Sequence, residues 1–310
     1  MGKTFKLCLV MLVALIFSAG CGAANKSEGE NFAVVTDQMK REVSVKSAPQ
    51  RIVSLSPSNT EIAFALGLGD KMVGVTDYCN YPEEALKIAK VGGFSTPNME
   101  TVLAMQPDLV LAGDQHEEQV KKLEEMNIPA LVLVPESMDQ VFEAMSMVGK
   151  AAGASRKADA LITEMKNRLT TIESQVGSIP EQDRVRVYYE VSSDPLMSAG
   201  STSIINEVIS LAGGKNIFAD VAERYPKISQ EVLIERDPQF ILCPGSHGSE
   251  AFNPQEIAAR PMWNKITAVK EDQIFSVNAD TISRPGPRLI EAVENLAPVF
   301  YPDKFAKGNG

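Results

Sequence analysis

Short apolar runs alternate along the first half of the chain with segments whose apolar residues recur at helical spacing. The runs predict buried strands at 51–57, 72–75, 109–111 and 131–134. Helices are predicted between them at 59–66 and 120–126. Strands that alternate with helices are typical of a parallel α/β sheet. Before them, weak alternation over 32–46 predicts an edge hairpin.

The segment 137–178 differs, because its apolar residues stand at mostly helical spacing and no proline occurs before Pro180. Gly149 and Gly153 weaken this helix without ending it. The pattern predicts either one long helix or a pair of helices with a soft break near Gly153.

The second half returns to strands and helices. Strands are predicted at 184–191, 240–242 and 273–277, and helices at 203–211 and 288–299. A repeat links the two halves, since each has a Glu two residues after a good N-cap residue and a Pro seven residues further on, just before an apolar strand. These residues are Glu100 and Pro107 in the first half, and Glu231 and Pro238 in the second.

We therefore predict an α/β fold with two Rossmann-like lobes, each built on a parallel-rich central sheet. The N-terminal lobe covers 32–136 and the C-terminal lobe 179–310, and a long rigid helix at 137–178 joins them. Loops that follow parallel strands gather at one end of a sheet, so both lobes can present loops to a cleft between them. The predicted loops are rich in Tyr, Asn, Asp, Ser and Arg, which suits a polar ligand with flat apolar parts.

Composition narrows the function further. The 310 residues carry 30 basic and 40 acidic side chains, a net charge of −10, which argues against nucleic-acid binding. A hydrophobic content of 44% with 23% charged residues is typical of a folded soluble protein. Two His and four Cys exclude a His-rich or a four-Cys zinc site in the mature protein. We predict no metal site.

The N-terminus has the pattern of an export signal. Lys3 and Lys6 precede an apolar run of about eleven residues, too short to span a bilayer. The end of this segment resembles a lipoprotein lipobox, so we predict a signal peptide at 1–21, lipidation of Cys21 and a flexible tether at 22–31. Ser18 stands where the lipobox usually has Leu, which leaves cleavage without lipidation as the alternative. Cys79 and Cys243 remain in the mature chain, free or paired.

Three segments, 51–61, 74–78 and 102–111, resemble the substrate-binding lipoproteins of ABC importers for vitamin B12, haem and iron-siderophores. The resemblance extends from about residue 51 to about residue 302. Within this group, the stretch 77–82 and the tail 280–288 most resemble the cobalamin-binding branch. The resemblance implies an exported protein, held at the membrane by its lipid, that captures a corrinoid and delivers it to a permease dimer with its ATPase. We expect a monomer without a cofactor and without enzymatic activity.

The resemblance also implies roles for particular residues. Glu100 and Glu231 match the acidic residues that dock on the two permease subunits; a helix-dipole role is the alternative for each. Tyr78, Tyr225 and Phe94 match aromatic ligand positions, with packing in a surface loop as the alternative for the tyrosines.

Four more residues complete the predicted ligand site. Asp280 and Arg284 match polar ligand positions, or else form a local ion pair. Ser56 and Pro57 lie at the turn between the first buried strand and its helix, where backbone N–H groups can bind an anionic substituent.

Two alternative functions stay open. A siderophore or haem binder of the same build is favoured by Arg224, Arg284 and Arg288, or by a cleft His such as His116 that reaches a metal. A remote alternative is an exported serine esterase that uses Ser56 and His247.

Overall fold

The computed structural model of the chain describes residues 31–245 and 253–306, which belong to one compact unit. The predicted signal peptide with Cys21, nearly all of the predicted tether and the loop with His247 lie outside the described residues. Within the described ranges, no helix is long and apolar enough to cross a membrane.

A parallel sheet forms the centre of the N-terminal half. Its strands, in spatial order, are β4 (Met72–Val75), β3 (Ile52–Ser54), β5 (Leu109–Ala112) and β6 (Ala130–Val132). Val53 pairs with Gly74 on one side and Val110 on the other. Every residue of β3, β5 and β6 is buried, as expected for a sheet covered on both faces. The four predicted strands are confirmed within a few residues at each end.

Three helices accompany this sheet. They are α1 (Pro57–Ala65), α2 (Met99–Ala104) and α3 (Glu117–Glu125). Helix α1 begins two residues earlier than predicted because Pro57 occupies its first turn, where the missing N–H costs nothing. After it, Gly67 has a φ of +69°, a conformation that favours glycine and turns the chain away from the helix.

The predicted hairpin exists but is not an edge of the main sheet. Strands β1 (Ala33–Thr36) and β2 (Glu42–Val45) form a separate antiparallel pair whose inner face packs on α4 (Met138–Ala152). Asp37 in its turn accepts a hydrogen bond from Val132 N at 3.2 Å. Gln38 N in the same turn donates to the Val132 carbonyl oxygen at 3.2 Å. Contacts of the turn, rather than a strand ladder, therefore join the hairpin to the sheet.

The C-terminal half has its own sheet. The strands are β7 (Arg186–Ser193), β8 (Leu196–Ser198), β9 (Lys215–Asn216), β10 (Phe240–Pro244) and β11 (Ile274–Val277). The order is β11-β10-β7-β8, with β9 also beside β7, and β8 is antiparallel to β7. The two halves therefore have separate, parallel-rich sheets, as the sequence predicts.

The helices of this half differ most from the sequence prediction near its end. They are α6 (Ile204–Leu211), α7 (Gln230–Arg236), α8 (Pro254–Ala258), α9 (Thr267–Lys270), α10 (Ala279–Ser283), α11 (Leu289–Phe300) and α12 (Pro302–Phe305). Helix α10 lies in the segment between the predicted strand at 273–277 and the predicted helix at 288–299, where the sequence pattern predicts a loop. Its signal is Asn278, whose side chain accepts a hydrogen bond from Thr281 N at 3.1 Å as an N-cap.

The predicted interlobe helix at 137–178 is a pair of helices. Helix α4 ends at Gly153, which has a φ of +73°, and α5 (Ser155–Val176) follows. The alternative with a break near Gly153 is therefore the correct one. Helix α4 packs on α1 and the hairpin, whereas α5 packs on α6, α11 and α12. Five 3₁₀ turns are also described, at Gly69–Lys71, Glu83–Lys87, Asp114–His116, Glu181–Asp183 and Trp263–Lys265.

Candidate functional site

A cavity of about 720 Å³ lies at the carboxyl ends of β3, β4 and β11. Its walls come from both halves, namely from segments 56–58, 77–80, 93–96 and 280–285. The carboxyl ends of parallel strands are the usual place for ligands in α/β proteins, and the volume is in the range typical of small-molecule sites. Six of the predicted ligand residues line this cavity: Ser56, Pro57, Tyr78, Phe94, Asp280 and Arg284.

Buried hydroxyl groups fix the turn between β3 and α1. Thr60 Oγ1 donates to Ser54 Oγ at 2.9 Å, and Ser54 Oγ donates to the Ser56 carbonyl oxygen at 2.9 Å. The hydroxyls of Ser56 and Ser58 share a further hydrogen bond of 2.9 Å. Asn59 Nδ2 donates to the Ala112 carbonyl oxygen at 3.0 Å, which ties the turn to β5. This wall of the cavity is therefore held in place before any ligand arrives.

Aromatic rings provide the apolar part of the lining. Tyr78 is 61% exposed, so much of its side chain is accessible to a ligand. Phe94 is held by His116, whose Nε2 donates to the Phe94 carbonyl oxygen at 2.7 Å while the rings meet edge to face. His116 Nδ1 accepts from Gly113 N at 3.0 Å. Both ring nitrogens of His116 are thus engaged by backbone groups.

His116 is fully buried and its ring nitrogens are engaged, so it is not available to a metal as the haem alternative requires. Burial lowers the pKa of His116 below its usual value, although the hydrogen bond to Phe94 and the charge of Asp114 oppose that effect. The imidazole is therefore neutral at pH 7 and supports the Phe94 wall.

Asp280 and Arg284 form the ion pair that the sequence analysis gave as the alternative to ligand contact, and they line the cavity as well. Asp280 Oδ1 and Arg284 Nη2 are 2.9 Å apart. Asp280 lies in α10, and Arg284 follows the helix one turn later. Asn80 from the other half bridges them, because its Oδ1 accepts from Arg284 Nη1 at 2.7 Å and its Nδ2 donates to Asp280 Oδ2 at 3.1 Å. Arg284 Nη2 also donates to the Tyr78 carbonyl oxygen at 3.3 Å.

Behind Arg284, the buried carboxylate of Glu61 on α1 binds two arginines of the C-terminal half. Its Oε1 accepts from Arg284 Nη1 at 3.1 Å and from Arg288 Nη2 at 2.6 Å, and its Oε2 accepts from Arg288 Nε at 2.9 Å. The exposed fractions of the three side chains are 2%, 11% and 12%. Burial lowers the pKa of Arg288, but the hydrogen bonds and charge of Glu61 more than offset this, so the pKa lies above its usual value. The sequence analysis did not identify Glu61 or Asn80 as site residues.

A second cavity, of about 820 Å³, lies on the other side of this ion-pair cluster. It is lined by Glu61 and Arg288 together with residues of α1, α5 and the segment 81–88. Its charged side chains include Arg168, which is already paired with Glu294 at 2.6 Å. The cavity at the strand ends is the better candidate because the carboxyl ends of parallel strands from both halves converge on it, which is the usual place for a ligand in α/β proteins.

Tyr225 does not line the candidate cavity. It is half-buried and packs against the hydrophobic core, and burial raises the pKa of its phenol. Its neighbour Arg224 forms an ion pair with Glu136 of the other half. The predicted ligand contact of Tyr225 stays a prediction without support from this cavity.

Glu100 and Glu231 occupy equivalent positions in the two halves. Each lies exposed in the first turn of a short helix, α2 or α7, that leads into a buried strand. The N-caps match as well, since Asn98 accepts from Thr101 N at 3.1 Å and Ser229 accepts from Val232 N at 3.2 Å. The internal repeat is therefore structural.

The two described thiols, Cys79 and Cys243, are both free and buried. Cys79 Sγ lies 3.2 Å from Thr60 Oγ1, and burial raises the pKa of the Cys243 thiol to about 11. In the ranges 31–245 and 253–306, no group of three or more His, Cys, Asp or Glu side chains is arranged to hold a metal ion.

Comparisons with known proteins agree with this architecture. The chain is 35% identical to an ABC transporter substrate-binding lipoprotein of Bacillus subtilis, over 98% of this chain and 99% of the other. It is 31% identical to a vitamin B12-binding protein of Vibrio cholerae, over 80% of this chain and 87% of the other. The crystal structure of the periplasmic vitamin B12 binding protein of Vibrio cholerae matches with a TM-score of 0.70 and 30% identity, over 82% and 97% of the two chains.

A periplasmic haem-binding protein of Roseiflexus matches with a TM-score of 0.74, over 82% of this chain and 99% of the other. Its sequence is 24% identical, so this likeness concerns the fold alone. The sequence profile of periplasmic binding proteins matches residues 52–281, which is most of the described chain. The chain therefore belongs to the periplasmic binding protein family and, like that family, is extracytoplasmic.

Proposed function

We propose that this protein is the substrate-binding component of an ABC importer and that it captures cobalamin or a related corrinoid for delivery to the permease. The observation that carries the proposal is the cavity between the halves, where aromatic side chains and a charge-compensated polar cluster meet. A corrinoid offers matching surfaces, a broad flat ring and a periphery of neutral amides. The 31% identity to a vitamin B12-binding protein supports the same ligand class.

Charge compensation favours a neutral ligand over haem or an acidic siderophore. The arginines that keep the anionic alternative open are all paired: Arg224 with Glu136, Arg284 with Asp280 and Glu61, and Arg288 with Glu61. Asp77, exposed on the cavity wall, adds a negative charge. An anionic ligand would meet this wall without an uncompensated cation to bind it.

Haem is the second candidate, because the exposed phenol of Tyr78 lies in the cavity and phenolate is a known haem-iron ligand. His116 gives haem no support, since both its ring nitrogens bind backbone groups.

We infer that the protein performs no chemistry. The Ser56 hydroxyl is hydrogen-bonded to Ser58, and His116 is buried and engaged by backbone, so neither forms a nucleophile–base pair with the other. His247, the base of the esterase alternative, lies outside the described residues. Turnover of a chromogenic ester that is lost in Ser56→Ala would contradict this inference.

The partners follow from the same proposal. Glu100 and Glu231, exposed at equivalent helix starts, would each meet one subunit of a permease dimer through charge pairing. Lipidated Cys21 would hold the monomer at the membrane. In a transport assay, Glu100→Ala combined with Glu231→Ala should abolish uptake while ligand affinity stays unchanged. Normal uptake by the double variant would contradict the docking role.

The ligand is tested by isothermal titration of the chain from Gly22 onward, which contains the compact unit of the described residues. Cyanocobalamin, cobinamide, haem and a ferric siderophore are the ligands to compare. Saturable one-to-one binding of cyanocobalamin, micromolar or tighter, is the expected result. Binding of haem or the siderophore without cyanocobalamin would keep the transport role and overturn the corrinoid assignment.

A further inference from the structure

Glu61 sits where it can set the charge of the cavity without touching a ligand. Its carboxylate is almost completely buried and lines the second cavity, whereas its partner Arg284 lines the candidate ligand cavity. The carboxylate accepts hydrogen bonds from both Arg284 and Arg288. Its negative charge is therefore held immediately behind the cavity wall.

The charges of this cluster cancel. Glu61 and Asp280 contribute two negative charges, and Arg284 and Arg288 contribute two positive charges. Without the charge of Glu61, the cluster of Asp280, Arg284 and Arg288 would carry a net charge of one positive unit. Solvent screens these buried groups only weakly, so the loss of this charge would change the electrostatic potential inside the cavity.

Both terminal nitrogens of Arg284 are also occupied. Nη1 binds Glu61 and Asn80, and Nη2 binds Asp280 and the Tyr78 carbonyl oxygen. A ligand carboxylate that approaches either terminal nitrogen of Arg284 must displace one of these acceptors. A ligand amide meets a neutral cluster instead and can pair with the polar rim of Asn80 and Asp280.

We propose that Glu61 is a specificity-determining residue, which makes the cavity select neutral corrinoids over their carboxylate forms by neutralising Arg284 and Arg288. The inference rests on the proposed corrinoid function and goes beyond it, because it assigns the selectivity to a side chain outside the cavity. Glu61 is a positioning residue, since it acts through Arg284.

The test compares two ligands of nearly equal shape, cyanocobalamin and its monocarboxylic acid, in which one side-chain amide is a carboxylate. Isothermal titration at pH 7 gives the ratio of the two dissociation constants for the chain from Gly22 onward. The unaltered protein should prefer the neutral ligand. Glu61→Gln keeps the shape and removes the charge, so the preference should fall by about tenfold, which is the scale of one charge at partly screened distances.

Two controls separate charge from structure. Asp220→Asn removes a carboxylate from another paired arginine, Arg236, which lines neither cavity, and should leave the ratio unchanged. Glu61→Gln combined with Arg288→Gln returns the cluster to neutrality and should restore the preference, which a purely structural role of Glu61 would not do. Circular dichroism checks that each variant is folded.

The outcomes are distinct. If Glu61→Gln does not fold, Arg288→Gln alone should raise the preference for the neutral ligand, because the cluster then carries a net negative charge. Two results would overturn the inference and leave the corrinoid function standing. One is a ratio that neither single substitution changes, and the other is an unaltered protein that binds both ligands equally. If the unaltered protein binds neither corrinoid, the proposed function itself fails.

Discussion

Each half of the molecule buries one glutamate against arginine, but the two ion pairs connect different parts of the structure. Glu190 on β7 binds Arg260 of its own half, with N–O distances of 2.6 and 2.8 Å. Glu61 on α1 binds Arg284 and Arg288 of the opposite half. Both carboxylates are almost completely inaccessible to solvent.

The difference indicates two roles for the same chemistry. The Glu190 pair lies in the interior of one half, where Tyr188 donates to it at 3.3 Å and Arg260 lies 4.6 Å from the Trp263 ring. This ion pair can therefore stabilise only the C-terminal half. The Glu61 cluster spans the junction and reaches the cavity wall, so it couples the position of the two halves to the electrostatics of the ligand site.

The largest loss of stability is expected when Arg260 is removed, because Glu190 is then left as an unpaired buried charge. Arg260→Ala should lower the free energy of unfolding by about 3–5 kcal/mol, measured by urea denaturation. Affinity for the ligand should change little, since neither residue lines the cavity. The control is Lys121→Ala, which removes an exposed pair with Glu117 and should leave unfolding almost unchanged. A large loss of affinity in Arg260→Ala would remove the distinction between the two pairs.

A smaller loss of stability is expected at the junction. Arg288→Ala should cost about 2 kcal/mol, because Glu61 keeps the hydrogen bond and charge of Arg284. The substitution also removes the contact of the guanidinium with the Tyr81 ring, at 3.9 Å from its centroid. Urea denaturation of this variant beside Arg260→Ala gives the comparison. An equal cost in both would mean that Arg284 does not share the charge of Glu61.

The smallest expected effect is on the pH dependence of stability, and it arises from a residue of the N-terminal half. The pKa of His116 is lowered in the folded protein, so the unfolded chain binds more protons as the pH falls below about 6.5. Stability should therefore decrease on acidification from pH 7 to 5, by at most about 1.4 kcal/mol per pH unit from this group. His116→Gln should flatten that slope in urea denaturation. An unchanged slope would show that His116 does not titrate on unfolding.

Periodicity predicted most of the fold because the buried strands are short apolar runs between clear turn signals. The segments 72–75 and 109–111 were assigned within one residue, and Ser203 caps α6 where the pattern begins. The break between α4 and α5 stayed undecided. A glycine at this position permits a left-handed turn, but only the packing of α4 on one half and α5 on the other makes the chain take it.

The sequence predicted some residues of the candidate site and missed others. Tyr78, Phe94, Asp280 and Arg284 reach one cavity because the carboxyl ends of parallel strands converge. Tyr225, chosen by the same resemblance, packs on the core instead. The sequence analysis includes Glu61 only as part of a matching segment, since nothing local distinguishes an ordinary helix glutamate from one that binds two arginines more than 220 residues away.

The sequence by itself determined the elements, the repeat of a capped helix and a buried strand, and the family. These depend on local propensity and on the burial of apolar side chains, which neighbouring residues largely specify. Only the tertiary structure decided which charges meet. The pairing of Glu61 with Arg284 and Arg288, and hence the neutrality of the cluster behind the cavity wall, depends on how the two halves dock. Coulomb interactions depend on distance in space rather than along the chain.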